Sequence, residues 1–180
     1  MEEISLHILD IAENSVAAKA DLIEIRITEN KTKDLLSIEV IDNGEGMDNE
    51  TLKKAMDPFY TSKTVRRFGF GLPLLSEAAK AANGHMSIQS EKREGTRIKA
   101  DFQHSHIDRQ PLGDIHQTLI TLIIGNPDID FIFQHDRNGD SYRLDTREIK
   151  AQMGGESINS LAGIRILKRN LERSRNSPVD

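Results

Sequence analysis

Two short alternating runs, LIEIRIT (residues 22–28) and LLSIEVI (residues 35–41), constrain this chain more than any other feature. Ile23, Ile25 and Ile27 share one side of the first run, and Leu36, Ile38 and Val40 share one side of the second. With the polar ENKTKD between them, the runs read as an antiparallel hairpin covered on one face. Upstream, SLHILDIAENSVAAKA is rich in helix formers and sets Ile4, Ile8, Ile11 and Ser15 on one stripe, with His7, Asp10, Asn14 and Ala17 on the next. Downstream, a short helix from about Asn49 to Met56 leads into DPFYTSKTVRRFGFGL, which has no sustained period and reads as a mobile loop. Pro73 then opens a helix that Asn83-Gly84 closes, and HMSIQS and TRIKADF form a second hairpin around EKREG. This order predicts an α+β fold, a two-layer α/β sandwich with helices on one face of a mixed sheet, over residues 1–103. The polar HSHIDRQPLGD reads as a connector to a small C-terminal α+β extension, residues 104–180. That extension holds a helix from about Asp114 to Ile124, a hairpin turning at Asn138-Gly139, and one or two helices ending in the basic RILKRNLERSR.

Composition narrows the classes. With no Trp and only 4% aromatic residues, the core has to be built from Ile, Leu, Val and Ala. The absence of Cys removes disulfides, thiolate metal sites and Cys nucleophiles, and fits a cytoplasmic protein. No apolar run approaches the ~20 residues that span a bilayer, and the acidic MEEISLHILD is unlike a secretion signal, so no membrane association is expected. A net charge of −5 argues against a general nucleic-acid binder.

Three elements carry chemistry. Asp10 and Asn14 lie four residues apart on one helical face, where a carboxylate and an amide oxygen can hold Mg²⁺ or orient a water; a solvated helix face explains the same pattern. Asp42-Asn43-Gly44-Glu45-Gly46-Met47 follows a strand directly. Its glycines let backbone approach a flat ring, and the Asp42 carboxylate can accept from an exocyclic amine, although Asp-Asn-Gly is also an ordinary turn. Gly69-Phe70-Gly71-Leu72-Pro73 opens a helix, a junction whose free amides favour phosphate, although a flexible loop with a helix cap explains the same residues.

Taken in order, Asp10-x-x-x-Asn14, DNGEGM, GFGL and Gly95-Thr96 resemble the Bergerat-fold, or GHKL, ATPases over roughly residues 4–103. That superfamily comprises gyrase-type topoisomerases, heat-shock chaperones, sensor histidine kinases and MutL mismatch-repair proteins. LDIAENSVAAKADLIEIRI looks most like MutL, and DPFYTSK through KADF looks most like a histidine-kinase catalytic domain. The resemblance implies ATP and Mg²⁺ as cofactors, with Asn14 ligating the metal and Asp42 reading the adenine amine. It further implies that Gly44 and Gly46 leave room for the base beside Met47, that Gly69, Gly71 and Leu72 border the phosphates, and that Thr96 supports Asp42. Asp10 stands where hydrolysing members carry a Glu general base, and Arg67 stands where the kinase pattern has glycine. With Lys63 and Arg66, Arg67 adds charge that could meet the γ-phosphate or could merely keep the loop soluble.

Only 13 residues precede Asn14, so a kinase reading requires a separate partner protein as substrate. The resemblance leaves three functions open: a kinase-like regulatory protein that transfers or slowly hydrolyses the γ-phosphate, a MutL-like or chaperone-like switch working as a homodimer, and a non-catalytic ATP-sensing module. His104, His106 and Asp108 alternate as metal ligands do but lie in the connector, and Asp136, Asn138 and Asp140 fit a hairpin turn better than a calcium loop. The stripe of Arg165, Lys168, Arg169 and Arg173 reads as a solvated helix face.

Overall fold

The computed structural model describes residues 3–56 and 71–175. The predicted loop between the two spans lies outside them. The first helix, α1 (Ile4–Ala17), precedes the hairpin β1 (Leu22–Asn30) and β2 (Leu35–Asp42), then α2 (Asn49–Ala55) and α3 (Gly71–Ala81). A second hairpin, β3 (His85–Glu91) and β4 (Gly95–Gln103), is followed by α4 (Ile115–Gly125), a third hairpin β5 (Asp130–Arg137) and β6 (Asp140–Asp145), then α5 (Thr146–Gln152) and α6 (Leu161–Arg175).

All six strands form one mixed sheet in the order β3-β4-β2-β1-β5-β6. The alternation read from the sequence sets its register: Ile25 lies opposite Val40, Val40 opposite Ile98, and Ile25 opposite Phe133, so one apolar row crosses four strands. Helices α1, α3 and α4 cover that side, and Ile4, Ile8, Ile11, Leu75, Leu119 and Ile123 are buried against it. Full burial of each such side chain contributes about 1.5–3 kcal/mol. The opposite side carries Glu24, Arg26, Glu39 and Arg97, which pair with one another: Arg97 Nη2 lies 2.7 Å from Glu39 Oε1, and Arg26 Nη2 2.8 Å from Glu24 Oε1. This face carries paired charges where the other carries an apolar row, so alternation along each strand decides its side.

The segment after residue 103 shares this sheet. β5 pairs parallel with β1 from Leu22 opposite Asp130 to Glu29 opposite Arg137, and a parallel neighbour buries both edges of β1. The Asn138-Gly139 turn has φ of 50° and 106°, as a tight hairpin requires. The connector is a strap under α1. Its Pro111 and Leu112 carbonyls accept from the Ile4 and Ser5 amides at 2.9 and 2.8 Å, satisfying two of the free donors at the helix start. Gln110 Oε1 lies 3.0 Å from His7 Nε2, and burial holds the His7 imidazole below its ordinary pKa. Among the described residues no helix is long and apolar enough to cross a membrane.

Candidate functional site

The hollow lies where β2 ends. Alternation carries the buried side of β2 from Leu36 through Ile38 and Val40 to Asp42, so the last residue of the strand points a carboxylate under α1, opposite Ile23 and Thr96. Asp42 is 8% exposed. Ser15 Oγ donates to its Oδ2 at 2.6 Å, and the Gly44 amide donates to Oδ1 at 2.9 Å. Both donors are neutral, and Ile11, Ala18, Met47, Leu72 and Ile98 make up the apolar part of the lining. A desolvated carboxylate gains from each further donor it meets, and each oxygen keeps a lone pair for one. The enclosed hollow measures about 20 Å³, room for a water or the edge of a ring.

Loop geometry after β2 follows from its glycines. Gly46 has φ +62°, and a Cβ there would stand 1.9 Å from the Glu91 carbonyl oxygen. A Cβ on Gly44 would stand 2.7 Å from the Ala18 carbonyl oxygen. Both positions therefore lack a Cβ first because the chain's own backbone passes there. Ser90 Oγ donates to the Gly95 carbonyl at 3.1 Å and accepts from the Met47 amide at 2.8 Å. Its remaining contact, Thr96 Oγ1 at 2.9 Å, is therefore a donation from Thr96. Thr96 thus braces the loop that carries Met47, whereas the direct bond to Asp42 comes from Ser15.

Ser15 is the residue that sequence reasoning did not assign. The signal was present: a hydroxyl on the apolar stripe with Ile4, Ile8 and Ile11 needs a buried acceptor, and Asp42 is that acceptor.

The neighbouring stripe of α1 faces the mouth. Asn14 is half-buried, lines the hollow, and makes no side-chain hydrogen bond among the described residues. One turn earlier Asp10 meets the first residue of α3, where a Cβ on Gly71 would lie 3.0 Å from Asp10 Oδ2. Glycine is what lets the start of α3 close on that carboxylate. Glu13 is exposed and faces away. Lys63 and Gly69, with Arg66 and Arg67, lie outside the described residues. Met47 and Leu72 are buried and line the hollow. Among the described residues no group of three His, Asp or Glu could hold a metal by itself. A divalent ion here would need ligands from a bound phosphate beside the Asn14 amide oxygen, which suits Mg²⁺.

The sequence and the fold both have known relatives. Residues 2–106 match the family model described as histidine kinase-, DNA gyrase B-, and HSP90-like ATPase. The sensor histidine kinase YxdK of Bacillus subtilis is 33% identical over 90 residues, covering 48% of this chain and 27% of the kinase. The DNA mismatch repair protein MutL of Bacillus licheniformis is 33% identical over 106 residues, covering 54% of this chain and 16% of MutL. The chain therefore spans about a quarter or less of the length of these two relatives. Among solved structures, the N-terminal domain of a DNA repair protein superposes with a TM-score of 0.57 at 18% identity, covering 83% of this chain and 56% of that one. The Aquifex aeolicus MutL ATPase domain complexed with ADP gives 0.51 at 17% identity, covering 81% and 63%. Coverage above 80% exceeds what residues 2–106 supply, so the likeness in fold extends into the segment that carries β5 and β6. By its sequence match, its mixed sheet and the order of its motifs, the chain belongs to the histidine kinase-, DNA gyrase B- and HSP90-like ATPase family.

Proposed function

We propose that this chain binds Mg·ATP at the hollow under α1 and uses it in regulation, passing the γ-phosphate to a partner protein or hydrolysing it slowly. The observation that carries the reading is Asp42: a buried carboxylate held by two neutral donors, in an apolar slot narrow enough for a ring edge. The exocyclic amine of adenine supplies the missing donor. Ribose and phosphates then run outward past Asn14 toward the start of α3. When bound, Mg²⁺ neutralises phosphate charge, and the Asn14 amide oxygen is the protein group that holds it in register. Asp10, beside Gly71, orients a water or accepts its proton. Aspartate is one methylene shorter than the Glu of hydrolysing members, and slow turnover follows from that shorter reach.

A second reading, a MutL-like switch that associates on closing over nucleotide, is favoured by one observation. The likeness to the two DNA-repair structures reaches past the family match into the β5–β6 segment, whose β5 pairs parallel with β1 in the same sheet. A third reading, ATP sensing without turnover, rests on Asp10 in place of Glu. Incubation with γ-labelled ATP separates them. Label on a co-purifying protein supports transfer, free phosphate with nucleotide-dependent association supports the switch, and tight binding with neither supports sensing. Absence of nucleotide binding removes all three.

A further inference from the structure

Glu29 lies on the helix side of β1, six residues beyond Ile23 and about 20 Å from the Asp42 end at ~3.3 Å per residue. His135 Nε2 lies 2.8 Å from Glu29 Oε1, Arg137 Nε 3.2 Å from the same oxygen, and His104 Nε2 3.5 Å from Oε2. The His135 bond, with Arg137 behind it, draws the Glu29 pKa down to about 2, so the carboxylate is ionised and His135 must donate through Nε2. Its Nδ1 is then the ring's remaining polar atom. Arg137 reaches Glu29 through Nε, and no bond is formed by its two terminal nitrogens among the described residues.

His135 and Arg137 line one side of a cavity of about 430 Å³ that opens beneath the starts of α1 and α4. Leu112 and His116 add to the lining, and two carboxylates, Glu3 and Asp114, belong to the residues that start the helices. Glu3 accepts from Ser5 Oγ at 3.3 Å and forms no ion pair with Arg137, although both face the same cavity. The Arg137 guanidinium on the sheet floor and carboxylates at the helix starts make the space bipolar. Among the described residues no three ligands converge to hold a metal there.

We propose that this cavity is a second ligand site, for a small zwitterion of the amino-acid type, with the ligand carboxylate on the terminal nitrogens of Arg137 and its ammonium on Glu3 and Asp114. The volume suits a molecule of that size. Arg137 presents a planar fork suited to a carboxylate, and Glu29 fixes the position of both basic groups. The site is independent of the nucleotide reading, and its test contains no ATP. The purified chain is titrated calorimetrically with each of the twenty common amino acids, with acetate and with methylammonium. Saturable heat is expected from at least one amino acid, at least tenfold tighter than from either single-charge probe. Arg137→Gln and Glu3→Gln should each weaken it at least tenfold while thermal melts show folded protein. Should Arg137→Gln fail to fold, Glu3→Gln decides, because it belongs to the start of α1 and lies outside the Glu29 cluster. No saturable heat with any amino acid overturns the proposal, as do acetate binding equally well and affinity indifferent to Glu3→Gln.

Discussion

The two ends of the sheet bury the same kind of group in opposite ways. Asp42 and Glu29 are both carboxylates on the helix side, one at the end of β2 and the other near the end of β1. Asp42 is held by a hydroxyl and an amide, both neutral, so its charge is uncompensated. Glu29 is surrounded by Arg137, His135 and His104, and its charge is matched within the fold. An uncompensated carboxylate in an apolar slot attracts a donor from outside. A compensated one braces β1, β5 and the strap, and is held as a structural joint.

Several substitutions would break or sharpen that contrast. The largest effect belongs to Gly46→Ala. A Cβ 1.9 Å from the Glu91 carbonyl at φ +62° forces the loop under Asp42 to move, and a loss of about 3–4 kcal/mol in chemical denaturation is expected. Asp42→Asn keeps the shape but turns half of the acceptor into a donor. ATP affinity should fall at least a hundredfold, about 2.7 kcal/mol, with Glu29 and its partners untouched; unaltered calorimetric binding would remove Asp42 from recognition. Glu29→Gln should do the reverse, costing about 2 kcal/mol of stability with the intrinsic ATP affinity of folded protein unchanged. Its signature is in acid: the Glu29 pKa stands at about 2 against an ordinary 4.5. Its stabilisation is therefore full above pH 4.5 and lost as pH falls toward 2, so the wild-type melting temperature should drop more across that window than the variant's. Ser15→Ala is the mildest, about 1 kcal/mol in ATP affinity from the lost bond to Asp42.

Much of the architecture was legible because its signals are local. Alternation in LIEIRIT and LLSIEVI gives strand faces directly, and Asp42 follows from Val40 by the same period. Asn138-Gly139 marks its turn by backbone preference alone. What local pattern does not carry is pairing across distance. Nothing in DIDFIFQHD says that it joins β1 in parallel, because a buried parallel strand and a strand of a separate small unit share one apolar pattern. The strap reads as a polar connector for the same reason: its carbonyls work on α1 amides about a hundred residues earlier. Ser15 escaped assignment because a hydroxyl on an apolar stripe gains meaning only once Asp42 lies beneath it.

The central claim is that Asp42 selects the ring amine of adenine. Guanine presents a carbonyl at the corresponding ring position and would meet the carboxylate as a second acceptor. Parallel calorimetric titration of the purified chain with Mg·ATP and Mg·GTP tests this most directly. Saturable binding of ATP, with GTP at least tenfold weaker, is the result predicted; equal affinity for the two, or no heat from either, would contradict it.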